Sequence, residues 1–306
     1  MPKVVILGVF VADTSYRAER MPRMGETILG KSFALGPGGK GSNQAVAAAR
    51  AGVETHMITR LGQDTFADMA LSMWREAGVI PEVSQHPESY TGAAFIFIDE
   101  HTGNNAIIVS PGVAGTISEA DIEAHARLIG DADVFITQLE QPLPAARRAL
   151  EIAKAGGAIT ILNPAPAAGL PDGMLELCTY VTPNESEAEA LTGVRVVSID
   201  DALNAARALV AKGAGAAVIT LGEKGALFHN GAETVHVPVF DAGTVVETTG
   251  AGDSFNGAFA AALARGAAPE DAVRFGCAAA SISVTRPGTA PAMPSEKEIR
   301  ALLARG

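Results

Sequence analysis

The sequence predicts an α/β fold: a mostly parallel central sheet with helices on both faces, plus a small β-strand lid. Three observations carry that expectation. Short apolar runs alternate with helical patterns over most of the chain, several helical patterns close on glycine, and two β-rich stretches interrupt the rhythm.

Val4–Val9 is the first apolar run, and it reads as a buried strand. Asp13 follows it closely and no small-residue cleavage site appears, which argues against a signal peptide. Ala93–Ile98, Val134–Thr137, Ala158–Leu162, Tyr180–Thr182 and Ala216–Leu221 continue the strand series. Between them, Asn43–Arg50, Asp64–Ala77, Ser118–Leu128, Leu143–Ala155, Asp200–Lys212, Ala251–Arg265 and Pro269–Val284 carry helical spacing. Gly78, Gly156 and Gly213 stand where helices end, and Ser118 with Asp121 forms a capping-box pattern. Trp74, Met69 and Met73 fall on one helical pattern and read as core. The interrupting stretches are Phe10–Leu35, with Thr27–Phe33 strand-like, and Ser89–Ser110, where Phe95–Asp99 and Asn105–Val109 flank the turn Glu100–Asn104. Residues 1–9, 36–88 and 111–306 are therefore expected to form the main domain, and residues 10–35 and 89–110 the lid.

With 306 residues, 48% of them hydrophobic and 19% charged, the chain can bury one large core. Its net charge of −11 argues against nucleic-acid and anionic-membrane partners, since neither gains electrostatic energy from such a surface. A small-molecule substrate is favoured. Cys178 and Cys277 are the only cysteines and form no CxxC, which points to a reducing cytoplasm. The six histidines show no metal-ligand spacing, and no run reaches the ~20 apolar residues that span a bilayer.

Three segments carry chemistry. Gly36-Pro37-Gly38-Gly39-Lys40-Gly41-Ser42-Asn43 is a glycine cluster entering a helix. It fails the Walker A spacing, which leaves a turn whose backbone can approach a ligand closely, with Lys40 and Asn43 supplying polar contacts to hydroxyls. A tight loop shaped by glycine geometry alone is the competing reading.

Thr249-Gly250-Ala251-Gly252-Asp253 opens a long apolar helix after the strand-like Thr244–Thr248. Its small residues leave the amides of Gly250, Ala251, Gly252 and Asp253 bare at a helix N-terminus, where negative charge is stabilised. That feature suits phosphoryl transfer. Asp253 is then either a general base for an acceptor hydroxyl or an ordinary N-cap, and local sequence does not separate the two.

Thr182–Glu189, with Asn184 and Glu187, begins a short helix at a strand end. Its acidic residues complement the helix dipole, and a carboxylate beside a phosphate site can also hold Mg²⁺ through water. Thr220-Leu221-Gly222-Glu223-Lys224-Gly225 offers a strand edge whose backbone can line a nucleotide.

Taken together, Gly39-Lys40-Gly41-Ser42-Asn43-Gln44, Gln138-Leu139-Glu140, Asn163-Pro164-Ala165-Pro166, Thr182–Glu189, Thr220-Leu221-Gly222 and Gly250-Ala251-Gly252-Asp253-Ser254-Phe255 resemble the ribokinase-like (phosphofructokinase-B) family, in family order over nearly the whole chain. The resemblance implies a Rossmann-like domain with a β lid through which subunits dimerise. It implies an ATP-dependent sugar kinase with Asp253 as the base and the preceding amides as the anion hole. Asp13, Gly39, Lys40, Asn43 and Glu140 would hold the sugar. Asn184, Thr220, Gly222, Gly225, Gly252 and Cys277 would line the nucleotide, with Glu187 organising Mg²⁺. A monovalent-cation site, for K⁺, would be formed by Glu247, Thr249, Ser283, Arg286 and Gly288.

Four departures stand out: Glu247 where the family usually has Asp, Ala292 where it has Ser, Val11-Ala12-Asp13 for Asn-x-Asp, and Cys277 for Asn or His near the adenine. A kinase for another sugar or a nucleoside, and a non-catalytic sugar-binding protein, are the competing readings. A dinucleotide-dependent oxidoreductase is disfavoured because Gly8-Val9-Phe10-Val11 is no GxGxxG.

Overall fold

The computed structural model describes residues 1–305. The strands are β1 Lys3–Leu7, β2 Val11–Ala18, β3 Ser32–Gly38, β4 Glu54–Leu61, β5 Val79–Gln85, β6 Thr91–Asp99, β7 Asn105–Gly112, β8 Val134–Thr137, β9 Ile159–Leu162, β10 Tyr180–Val181, β11 Ala216–Thr220, β12 Ala226–His229 and β13 Thr234–Val237. The helices are α1 Lys40–Arg50, α2 Thr65–Ala77, α3 Glu119–Ala124, α4 Ala126–Gly130, α5 Leu143–Gly156, α6 Glu185–Thr192, α7 Ile199–Ala211, α8 Ala251–Ala264, α9 Pro269–Ser283 and α10 Glu296–Leu303.

Nine strands form the main sheet in the order β13-β12-β11-β10-β9-β8-β1-β4-β5. The neighbours from β11 to β5 are parallel, whereas β12 at one edge runs antiparallel to both β11 and β13. Central strands such as β8 are buried at every residue, as a parallel sheet covered on both faces requires. From β1 the chain proceeds to β4 on one side and, later, to β8 on the other. The carboxyl ends of the strands therefore open a crevice at that switch point. A second sheet, β3-β2-β6-β7, stands apart from the first.

Helix α8 is buried from Asp253 to Leu263 and packs between α1 and α9. The contact with α1 is backbone-close: a Cβ on Gly257 would lie 2.4 Å from the Gln44 carbonyl oxygen and 2.5 Å from Ala47 Cβ. On its other side α1 meets β1, where a Cβ on Gly8 would lie 2.7 Å from Gly41 Cα. Trp74 is fully buried and donates its indole N–H to Ser42 Oγ at 3.0 Å, while Met69 and Met73 pack against the same core.

The structure departs from several sequence expectations. The strand expected over Thr27–Phe33 runs instead over Ser32–Gly38, because β2 pairs from Arg17 with Ser32 to Val11 with Gly38. Pro37 is tolerated there because β3 is an edge strand. Thr244–Thr248 is not a strand. The amides of Val246 and Glu247 both bond the Val284 carbonyl (2.7 and 3.1 Å), so this segment is tied to the end of α9 rather than to a ladder. The helix expected over Ser118–Leu128 breaks at His125 (φ −108°, ψ 13°), whose Nδ1 bonds the Asp121 carbonyl at 2.8 Å and competes with the helical pattern. The left-handed cap of α5 is Gly157 (φ 87°), not Gly156. Among the described residues, no helix is long and apolar enough to cross a membrane.

Candidate active site

Helix α8 starts at Gly250, which adopts φ 81° and serves as N-cap without a side chain. The Ala251 N–H turns back to the Thr248 carbonyl (3.2 Å), which leaves the amides of Gly250, Gly252 and Asp253 at the helix end for an anion. Behind this loop lies the turn ending at Thr289, whose Cα would be 3.3 Å from a Cβ on Gly250 and whose hydroxyl donates to the Pro37 carbonyl at 2.8 Å.

Asp253 is buried, and its side chain does not cap the helix. Its Oδ2 accepts from Asn43 Nδ2 and its Oδ1 from Gln44 Nε2, both at 3.0 Å. Burial pushes its pKa up, while Lys40 and the two amide donors pull the other way. The N-cap reading, left open by the sequence, is therefore not what this carboxylate does.

Lys40 begins α1 at the end of β3. Burial alone would lower its pKa, but the carboxylates of Asp253, Glu140 and Glu187 outweigh that and raise it, so it stays charged. Its backbone N–H donates to Glu140 Oε2 at 2.9 Å. Burial pushes Glu140 up to about 7 and, with help from Asp253, Asp13 up to about 6. Asp13 lies directly over Gly38: a Cβ there would sit 2.2 Å from Asp13 Oδ2. Gly39, at φ 89°, caps α1 where a Cβ would meet the Val9 carbonyl at 2.5 Å. At Gly38 and Gly39 the glycines are required by backbone geometry and by the close approach of Asp13 and Val9.

Two cavities meet at Gly252. A polar one of about 160 Å³ is lined by Lys40, Asn184, Glu187, Thr220, Gly250, Asp253 and others; a larger cleft of about 670 Å³ extends past Gly222, Gly225, Phe240 and Cys277. Both include Asn184, Thr220 and Gly252. Cys277 is buried, its thiol is pushed up to about 12 by burial, and it stands 4.0 Å from the Val237 carbonyl. It is a packing surface in this cleft, not a nucleophile.

Asn184 and Glu187 form a reciprocal capping box, each side chain bonding the other's backbone N–H at 2.9 Å. That satisfies the helix terminus, yet Glu187 still lines the polar cavity.

Of the five residues expected around a monovalent cation, Glu247 accepts from the Gly288 N–H (2.8 Å), Ser283 donates to the Ala280 carbonyl (2.9 Å), and Arg286 pairs outward with Glu298 (2.5 Å). Thr249 is exposed beside the loop. The segment offers oxygen donors, as a hard cation needs, but one carboxylate oxygen of Glu247 is already taken by Gly288.

Sequence reasoning assigned no role to Gln44, Asn163, Thr182 or Asn256. The structure joins them: Gln138 donates to Gln44 (2.6 Å), Gln44 to Asn163 (3.1 Å), Asn163 to the Thr182 carbonyl (2.9 Å), Thr182 to Asn256 (2.6 Å), and Asn256 to the Gly252 carbonyl (2.8 Å). Three of the four lie in quoted motifs, and their polarity inside apolar elements is the signal that could have found them.

Comparison with known proteins supplies the family. The chain is 36% identical to a ribokinase of Haemophilus influenzae over 296 residues, covering 96% of both chains. It is 35% identical to a deoxyribokinase of Salmonella typhimurium, covering 98% of both. Its structure superposes on Arabidopsis thaliana ribokinase complexed with ribose and ATP with a TM-score of 0.92 at 30% identity, covering 99% of this chain and 98% of that one. The family model for pfkB family carbohydrate kinases matches residues 1–296, and the chain belongs to that family.

Proposed function

We propose that this carbohydrate kinase transfers the γ-phosphate of ATP to the primary hydroxyl of a pentose, D-ribose or a close relative. The observation that carries the proposal is the buried Asp253 carboxylate, fixed by two amides beside a helix N-terminus and facing Lys40 across a polar cavity. The sugar hydroxyl gives its proton to Asp253 as its oxygen attacks phosphorus. The developing charge on the transferred oxygens meets the Gly250, Gly252 and Asp253 amides. Asp13, Lys40, Gly39, Asn43 and Glu140 orient the sugar, with Asn43 holding Asp253 through its Nδ2.

In this reading the 670 Å³ cleft takes the nucleoside, with Thr220, Gly222, Gly225 and Cys277 along its wall. Glu187 and Asn184 would hold Mg²⁺, which would supply charge neutralisation at the phosphates. K⁺ would bind near Glu247, Thr249, Ser283, Arg286 and Gly288, behind the anion hole.

The small sheet acts as lid and dimer surface: Phe33, Leu35, Ile107, Ile108 and Val109 are large apolar side chains left exposed on its edge strands. The match to a deoxyribokinase supports keeping 2-deoxyribose as a second acceptor. ADP release measured against pentoses, hexoses and nucleosides tests the assignment, and Asp253→Asn should keep ATP binding while lowering kcat by about 10²- to 10⁴-fold. Failure of every sugar, or an Asp253→Asn enzyme as fast as wild type, would overturn it.

A further inference from the structure

Gln44 is fully buried, and both ends of its side-chain amide are taken by protein groups rather than presented to a ligand. Its amide contacts the base directly. Nε2 donates to Asp253 Oδ1 and to Asn163 Oδ1, and Oε1 accepts from Gln138 Nε2 at 2.6 Å.

The chemistry of these groups gives the chain one direction. An ionised carboxylate only accepts, so the amide must present its NH₂ end to Asp253. Its carbonyl end must then face Gln138, which in turn must donate. The order Gln138 to Gln44 to Asp253 puts one amide donor on each carboxylate oxygen, the pattern that suits an ionised Asp253. A proton on Asp253 would weaken the oxygen that carries it as an acceptor, so both donors favour the charged form.

That constraint opposes everything else around the base. Burial favours the neutral acid, and the carboxylates of Asp13, Glu140 and Glu187 stand in the same site. Only Lys40 adds an attractive charge. The amides also fix orientation, since one donor on each oxygen fixes the plane of the carboxylate and leaves its remaining lone pairs for the acceptor hydroxyl.

We infer that Gln44 is a positioning residue for phosphoryl transfer: through Nε2 it keeps Asp253 ionised and turned toward the acceptor hydroxyl without meeting the substrate itself. The inference rests on Asp253 being the base.

The test compares single-turnover phosphoryl transfer between pH 5 and 9 in wild type, Gln44→Met, Gln44→Glu and Asp253→Asn, a range of about four units that brackets the ordinary carboxylate shifts. Gln44→Met keeps the volume and removes the donor. Its acidic limb should move up by about one to two pH units, the worth of one hydrogen bond to a charged group. Its rate should recover toward wild type above that limb, with KM for sugar and for ATP within about twofold of wild type. Gln44→Glu is isosteric and keeps an acceptor for Gln138, and thermal melts establish that each variant is folded; two carboxyls in contact share a proton, so its limb should move in the same direction and further.

A wild-type limb in either folded variant, a loss equal at every pH, or a change confined to KM would overturn the assignment of Gln44. An active Asp253→Asn enzyme would instead overturn the base. An inactive Asp253→Asn beside an unmoved Gln44→Glu limb would remove Gln44 alone.

Discussion

Gly252→Ala separates stability from catalysis at the loop where the two cavities meet. Nothing lies within 4 Å of a Cβ built on Gly252, and its backbone is already helical, so the methyl meets no protein atom. Replacing glycine by alanine in a helix gains up to about 1 kcal/mol, which corresponds to a Tm rise of at most about 2–4 °C. The open space is the junction of the polar cavity and the large cleft, where the transferred phosphoryl group passes in the proposed reaction. A methyl there displaces it by roughly 1 Å and blocks the Gly252 amide, so kcat/KM should fall by about 10²- to 10³-fold. Gly250→Ala is the contrasting change. At φ 81°, with Thr289 Cα, Cβ and Cγ2 each 3.3 Å from the new Cβ, it carries about 1–2 kcal/mol of left-handed strain and loses stability as well as rate. Thermal melts and coupled ADP-release rates on both variants decide the matter. A Gly252→Ala enzyme that keeps more than about half of wild-type kcat/KM, or that melts well below wild type, would refute the reasoning.

Three further outcomes are expected. Rates should rise with K⁺ more than with Na⁺, but weakly, because Glu247 already serves Gly288 and buried Ala292 offers no hydroxyl; equal rates in K⁺, Na⁺ and a bulky organic cation would count against the site. Val11, buried on the same face of β2 as Asp13, presents no hydrogen-bonding group to the sugar. Val11→Asn should raise the preference for D-ribose over 2-deoxyribose by roughly 5- to 150-fold, read as a ratio of kcat/KM values. Glu140 has a folded-state pKa of about 7, above its ordinary 4.5, so the folded free enzyme binds more protons than the unfolded chain across that window. Its burial therefore costs stability as pH rises through about 7 and costs nothing below about 4.5. The Tm of Glu140→Gln relative to wild type should climb with pH over that range, and a pH-independent difference would show the carboxyl titrates elsewhere.

Much of the fold was legible because its central strands are continuous apolar runs: Val134–Thr137 matches β8 residue for residue. Strand β4 was not, since Glu54, Thr55, His56, Thr59 and Arg60 break the apolar run, and only its place between β1 and β5 buries it. The strand register of Gly36–Gly38 was hidden for a related reason: glycine and proline read as a turn until a partner strand fixes them. In the candidate site, Lys40 and Asp253 carry a local signature, and the structure brings them to one polar cavity. The amides that hold the Asp253 carboxylate carry none, because Asn43 and Gln44 meet Asp253 across 210 and 209 positions, and no window of sequence shows such a pairing.

The backbone-close crossing of α1 on α8 at Gly257 also bears on how the protein is made. Loop closure over more than two hundred residues must be complete before that crossing forms, and long-range contacts of this kind assemble late. An N-terminal piece that stops short of α8 lacks Asp253 and the surface that buries α1. Catalytic competence is then a report on the finished chain: a molecule becomes a kinase only when its C-terminal third has docked against its first helix.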